Sequence, residues 1–169
     1  VARGAVDQPR QQLRHPDPFS ARWRAHWIWH EPPAITTETA TRAVLRDPQD
    51  TVALLRRLVE LAEVPVAAPC RVWADGRYVL RVNGTEVARG PVRSDPRRSH
   101  YDVVDLAPHL RLGTNVLAIT ARHFGTATSW WTPVPPSYTL GAGAVVLEAQ
   151  LGDRWVVTDT SVFRQQVGS

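Results

Sequence analysis

At 169 residues and 18.8 kDa, with 43% hydrophobic and 21% charged residues, the chain has the size and balance of one globular domain with tails. No apolar run approaches the ~20 residues of a membrane-spanning helix, so no membrane partner is expected. The net charge of +4 comes from arginines dispersed along the chain, with only Arg56-Arg57 and Arg97-Arg98 adjacent, which lacks the clustered footprint of a nucleic-acid binder.

In chain order, residues 1–20 are polar and proline-punctuated, without the apolar core of a secretory signal, and read as a flexible linker. Met is absent even at position 1, so the numbering is expected to begin inside a longer gene product or after processing. From residue 21 to 169 a single domain is expected. In "ARWRAHWIWH", Trp23, Ala25, Trp27 and Trp29 fall on one face at period two, which predicts a strand driving indoles into a core or groove. His26 and His30 share a face but have no third ligand nearby in sequence, and no metal or cofactor is expected.

A long connection over 31–50 leads to "TVALLRRLVELAEV", whose apolar residues recur at helical spacing. "CRVWA" then begins a run of β patterns, with Cys70, the sole cysteine, entering the core as an inert thiol. Asp75-Gly76 forms a turn. "YVLRVNGTEVARGP" reads as a hairpin: Tyr78, Leu80 and Val82 share a face, and Asn83-Gly84 supplies the positive φ angles of a type I′ turn. The same asparagine heads a glycosylation sequon, Asn83-Gly84-Thr85, which turn chemistry already explains.

Asp105 is placed to cap one helical turn through Leu106–Leu110, because its carboxylate can accept amides left free at a helix start. Gly113 permits a left-handed turn, Asn115 can bond across it, and a strand follows. Ser99-His100 beside Asp102 cannot converge as a catalytic triad does. The loop "FGTATSWWTPVPPSY" carries Trp130 and Trp131 between prolines, and strands at 138–151 and 154–158, turning at Gly152-Asp153, precede an edge segment through 162–164. In "LGAGA" a bulged or kinked strand is expected rather than a phosphate loop. Many short strands about ten residues apart, with one helical turn, predict an all-β sandwich.

Taken together, Trp27-Ile28-Trp29, Ala74-Asp75, Tyr78, Leu80, Val82-Asn83-Gly84, Arg89-Gly90-Pro91, Tyr101-Asp102, Asp105-Leu106, Gly113 and Asn115 resemble the N-terminal β-sandwich of bacterial α-L-rhamnosidases. The resemblance covers most of residues 23–165. It implies a jelly-roll, galactose-binding-domain-like sandwich and places Thr51 to Leu61 as a strand, against its periodicity. It also implies that the paired acids of catalysis belong to a later α/α-barrel, making this chain a non-catalytic accessory module. The expected role is carbohydrate recognition or domain packing, with the alternatives of an independent lectin-like protein or a structural spacer.

The expected sugar site joins Trp130 and Trp131, which can stack on the apolar face of a sugar ring, with His123, Asp75 and Arg77 as polar partners. Its partners would be a carbohydrate, rhamnose-containing ones included, and the remaining domains of the parent enzyme.

Overall fold

The computed structural model describes Phe19 and residues 22–29, 51–92, 100–124 and 143–159, together with the backbone of 164–168. The expected linker apart from Phe19, the connection 31–50, His30, and most of the loop bearing Trp130 and Trp131 lie outside the described residues. Among the described residues no helix is long and apolar enough to cross a membrane.

The strands are β1 (Thr51–Leu61), β2 (Pro69–Ala74), β3 (Arg77–Val82), β4 (Thr85–Gly90), β5 (Asp102–Asp105), β6 (Gly113–His123), β7 (Val145–Leu151), β8 (Arg154–Val157) and β9 (Arg164–Gly168). They form a jelly-roll sandwich of two antiparallel sheets, ordered β4-β3-β6-β1-β9 and β5-β2-β7-β8. The inner faces supply the core, which includes Leu55, Val59, Tyr78, Leu80, Val82, Leu117 and Ile119 from one sheet and Val72, Val104, Leu147 and Val156 from the other. Alternation along each strand puts these side chains on one side.

Segment 51–61 is a strand throughout. It pairs with β6 along its whole length, from Thr51 opposite His123 to Leu61 opposite Gly113, and with β9 on its other edge. Two flanking ladders outweigh local periodicity. The apparent helical stripe is split accordingly: Ala53, Leu55, Val59 and Leu61 are buried, while Leu54 and Leu58 are exposed.

The β3–β4 hairpin turns at Asn83 (φ 51°) and Gly84 (φ 87°), as its sequence predicts. Asn83 also ties three turns together. Its Nδ2 donates to the His109 carbonyl and to Asn115 Oδ1, both at 2.9 Å, and its Oδ1 accepts the Val116 amide. The fully buried Asn115 in turn accepts the Arg111 amide and donates to the Arg111 and Gly113 carbonyls. The sequon asparagine is thus a turn residue whose amide nitrogen is already engaged. Asp105 Oδ1 accepts the amides of Ala107 (3.0 Å) and Ala68 (2.8 Å), so from the position before the N-cap Leu106 it takes up the first amide of the 3-10 turn Ala107–His109 and fastens the approach to β2.

The strand expected over Trp23 to Trp29 is corrected. Only Ile28 makes a bridge, to Val145. The backbone of 22–25 is held by side chains instead. Arg71 Nε and Nη2 donate to Glu148 Oε1 (2.9 and 2.8 Å), Nη2 also donates to the Arg22 carbonyl (3.0 Å), and Glu148 Oε2 accepts the Arg24 (2.7 Å) and Ala25 (3.4 Å) amides. A carboxylate that takes two consecutive amides removes them from any ladder. Burial then follows Ala25 and Ile28 rather than period two, leaving Trp27 55% exposed. Segment 22–29 covers the outer face of the four-stranded sheet, where Ala25, Trp73 and Val146 form a second apolar cluster.

Strand β7 begins at Val145 rather than 138; residues 138–142 lie outside the described residues, and Gly143 and Ala144 precede the ladder. Cys70 is fully buried, and burial pushes its thiol pKa up, which suppresses the reactive thiolate.

Two expectations follow. The Arg71 and Glu148 side chains are essentially without solvent contact, so Glu148→Ala should cost about 3–5 kcal/mol in urea denaturation by stranding a buried guanidinium. Replacing both residues with leucine should cost less than the sum of the single changes. The second expectation concerns Asp102, which accepts the Tyr78 hydroxyl at 2.5 Å. Burial raises its carboxyl pKa, opposed by bonds from Tyr78 and the Val92 amide. A raised acid is favoured protonated in the fold, so its contribution is complete below the ordinary carboxylate pKa and is lost as pH rises through the raised value. Asp102→Asn should flatten that acidic-range decline in denaturation midpoints; an unchanged profile would refute the assignment.

Candidate functional site

One end of the sandwich gathers the polar residues singled out in the sequence. The β2–β3 turn is anchored by the Asp75 amide, which donates to the Ala144 carbonyl at 2.8 Å. Gly76 sits at φ 101°, and a Cβ there would lie 2.1 Å from the Arg122 carbonyl oxygen. Only glycine allows the turn to lie this close against the end of β6. The approach brings Asp75 Oδ2 within 3.5 Å of His123 Nε2.

Both groups of this carboxylate–imidazole pair are buried, at 1% and 2% exposure. The Trp29 ring stands edge-on to His123 (6.1 Å, 68°), and Gly143 leaves room for that indole, since a Cβ there would come within 2.5 Å of it. Arg77 is exposed and lies directly opposite Arg122 across β3 and β6, and the Arg122 guanidinium is 5.0 Å from the Phe124 ring centre. The fold therefore unites Asp75 and His123, with Arg77 on the neighbouring surface. Trp130 and Trp131 lie outside the described residues, while the flanks of their segment, Phe124 and Gly143, belong to this end.

Chemically, a buried carboxylate–imidazole pair can fix the base of a loop, and the arginines offer charged donors at its rim. Among the described residues no group of three or more His, Cys, Asp or Glu side chains could hold a metal ion. Six of the described acids are engaged in the fold: Asp75 with His123, Asp102 with Tyr78, Asp105 with two amides, Glu148 with Arg71, Glu86 with Arg81 and Arg89, and Glu60 with Thr114.

Sequence reasoning missed the surface on the outer face of the four-stranded sheet. There Trp23, Trp27, Trp73 and Tyr101 interlock around the Arg71–Glu148 pair. A signal was present: Arg71 and Glu148 each interrupt an otherwise apolar strand, which requires each to find a partner.

No protein-family model matches the chain. Over 138 residues, 80% of its length, it is 29% identical to an α-L-rhamnosidase of Streptomyces avermitilis, of which it covers 11%. Its fold superposes on a GH78 family rhamnosidase of Bacillus sp. GL1 with a TM-score of 0.66 and 30% identity, over 88% of this chain and 14% of that one. The chain is homologous to a segment of the α-L-rhamnosidases. An α-L-rhamnosidase from Aspergillus terreus shares the fold, with a TM-score of 0.53 at 18% identity over 70% of this chain and 15% of that one. The chain thus spans only a small part of the length of these α-L-rhamnosidases.

Gly76→Ala should destabilise the protein by roughly 2 kcal/mol or more, because it adds a backbone clash to an unfavourable φ. Gly84→Ala, at a similar φ but with nothing within 4 Å of the new Cβ, should cost less. Thermal unfolding of the two variants checks this ranking.

Proposed function

We propose that this chain is a non-catalytic accessory domain of a glycoside hydrolase of the α-L-rhamnosidase type, and that it recognises carbohydrate through the end of the sandwich built around His123. The observation that carries the reading is the match at 30% identity to only 14% of a GH78 rhamnosidase, over nearly all of this chain. The domain itself runs from 21 to 169, preceded by a linker, and its other partners are the remaining domains of the parent enzyme.

Glycoside hydrolysis uses two carboxylates about 5–9 Å apart across the scissile bond, one held protonated. The buried or half-buried acids Asp75, Asp102, Asp105 and Glu148 are committed to a histidine, a tyrosine, backbone amides and an arginine, which supports a structural rather than catalytic use. In this reading Trp130 and Trp131 stack on the sugar and Arg77 reaches its oxygens, while the buried His123 and Asp75 hold the base of the loop. Stacking with a few exposed hydrogen bonds gives modest net energy, so binding in the millimolar range, about 4 kcal/mol, is expected.

The purified chain should release no aryl group from an aryl-rhamnoside. Turnover that disappears on mutating one of its own carboxylates would overturn the non-catalytic assignment. Titration with L-rhamnose, galactose and rhamnose-containing oligosaccharides should change tryptophan fluorescence, and Trp130→Ala or Trp131→Ala should remove the part of that change that arises at the His123 end. A wild-type chain silent toward all of these sugars at tens of millimolar would leave domain packing as the role.

A further inference from the structure

The aromatic surface on the outer face of the four-stranded sheet lies apart from the His123 end and has no part in the reading above. Trp27 is its most prominent group. Its neighbours Ala25 and Ile28 are buried at 8% and 2%, yet the indole between them turns outward and remains 55% exposed. The backbone on both sides of it is pinned. Glu148 holds the Arg24 and Ala25 amides, the Thr158 carbonyl accepts the His26 amide while its hydroxyl donates to the His26 carbonyl, and Ile28 exchanges two backbone bonds with Val145.

The ring itself is braced as well. Trp73 meets it edge-on at 5.2 Å and 89°, and Trp23 lies tilted at 6.4 Å. On the far side of Trp23, Tyr101 stands edge-on at 5.5 Å and is 38% exposed. The Arg71 guanidinium, held by Glu148, lies 4.1 Å from the Trp23 ring centre and 5.3 Å from that of Tyr101. Such bracing lowers the ordering cost of any ligand that stacks there.

We propose that Trp27, with Trp23 and Tyr101 beside it, forms a second carbohydrate-binding ledge that stacks the C–H face of a pyranose. The proposal rests on the carbohydrate-recognition reading above but uses different residues. A pyranose suits the ledge because it pairs one flat apolar face with a rim of hydroxyls. The exposed His26, next to Trp27 in the chain, can donate a hydrogen bond to a hydroxyl oxygen, while the Arg24 guanidinium lies 3.9 Å from the Trp155 ring centre.

The test is titration of the full chain, labelled with 15N at its seven tryptophan indoles, with L-rhamnose and, separately, galactose, while the indole resonances are followed. Single Trp→Phe variants assign the signals. The expected result is movement of the Trp27 resonance with at least one of the two sugars. Trp27→Ala should weaken binding at the ledge by roughly tenfold or more, read from the Trp23 resonance, and Trp27→Phe should retain most of it. Circular dichroism distinguishes loss of the site from loss of the fold in Trp27→Ala, and should be unchanged because the side chain is mainly outside. If only Trp130 and Trp131 respond, the ledge is refuted while carbohydrate recognition at the His123 end stands. If no indole responds, both fail.

Discussion

The buried Arg71–Glu148 pair organises the outer half of this sandwich. Each residue sits on a strand of the four-stranded sheet, on the face turned away from the main core, where a bare charge would be costly. Each also has hydrogen-bonding capacity left after meeting the other, and that capacity is filled by the backbone of residues 22–25. A segment with no ladder of its own becomes a fixed cover. The aromatic groups it carries then bury Trp73 and Val146 and enclose the ion pair, so desolvation and apolar packing reinforce each other.

The five-stranded sheet is organised differently. Its turns converge on Asn83 and Asn115, whose amides each bond to more than one turn and leave the hairpin, the 3-10 turn and the start of β6 in a single polar network. At the opposite ends of β3 and β6, the absence of a Cβ at Gly76 lets the β2–β3 turn press against the end of β6. That close approach is what brings Asp75 to His123. One end of the sandwich is therefore closed by a network of neutral amides and the other by a carboxylate–imidazole pair beside exposed arginines.

This division suits an accessory role. The framework is fixed where strands and amide networks meet, and the two surfaces proposed for recognition sit at its periphery: the His123 end and the aromatic strip above the ion pair. Loops and covers on a rigid sandwich are where binding groups are commonly placed, because they can vary without disturbing the core.

Much of the fold was legible from local rules. The Asn83-Gly84 hairpin, the Asp105 bond to the first amide of the 3-10 turn, the Gly113 turn and the Gly152-Asp153 turn each depend on residues within a few positions of one another, so their chemistry is written in the order of the chain. The resemblance to rhamnosidase sandwiches supplied the strand over Thr51 to Leu61, which periodicity alone would have made a helix. Three things depended on tertiary structure. The Trp23–Trp29 segment lost its expected strand because a carboxylate more than 120 residues away takes its amides. Asp75 and His123 meet only because the β2–β3 turn packs against the end of β6, bringing together residues 48 positions apart. Trp27 faces outward because Ala25 and Ile28 set the phase of the cover. Short-range turn chemistry is encoded by neighbours in sequence, whereas the partner of a buried charge is chosen by whatever the completed sheets place beside it.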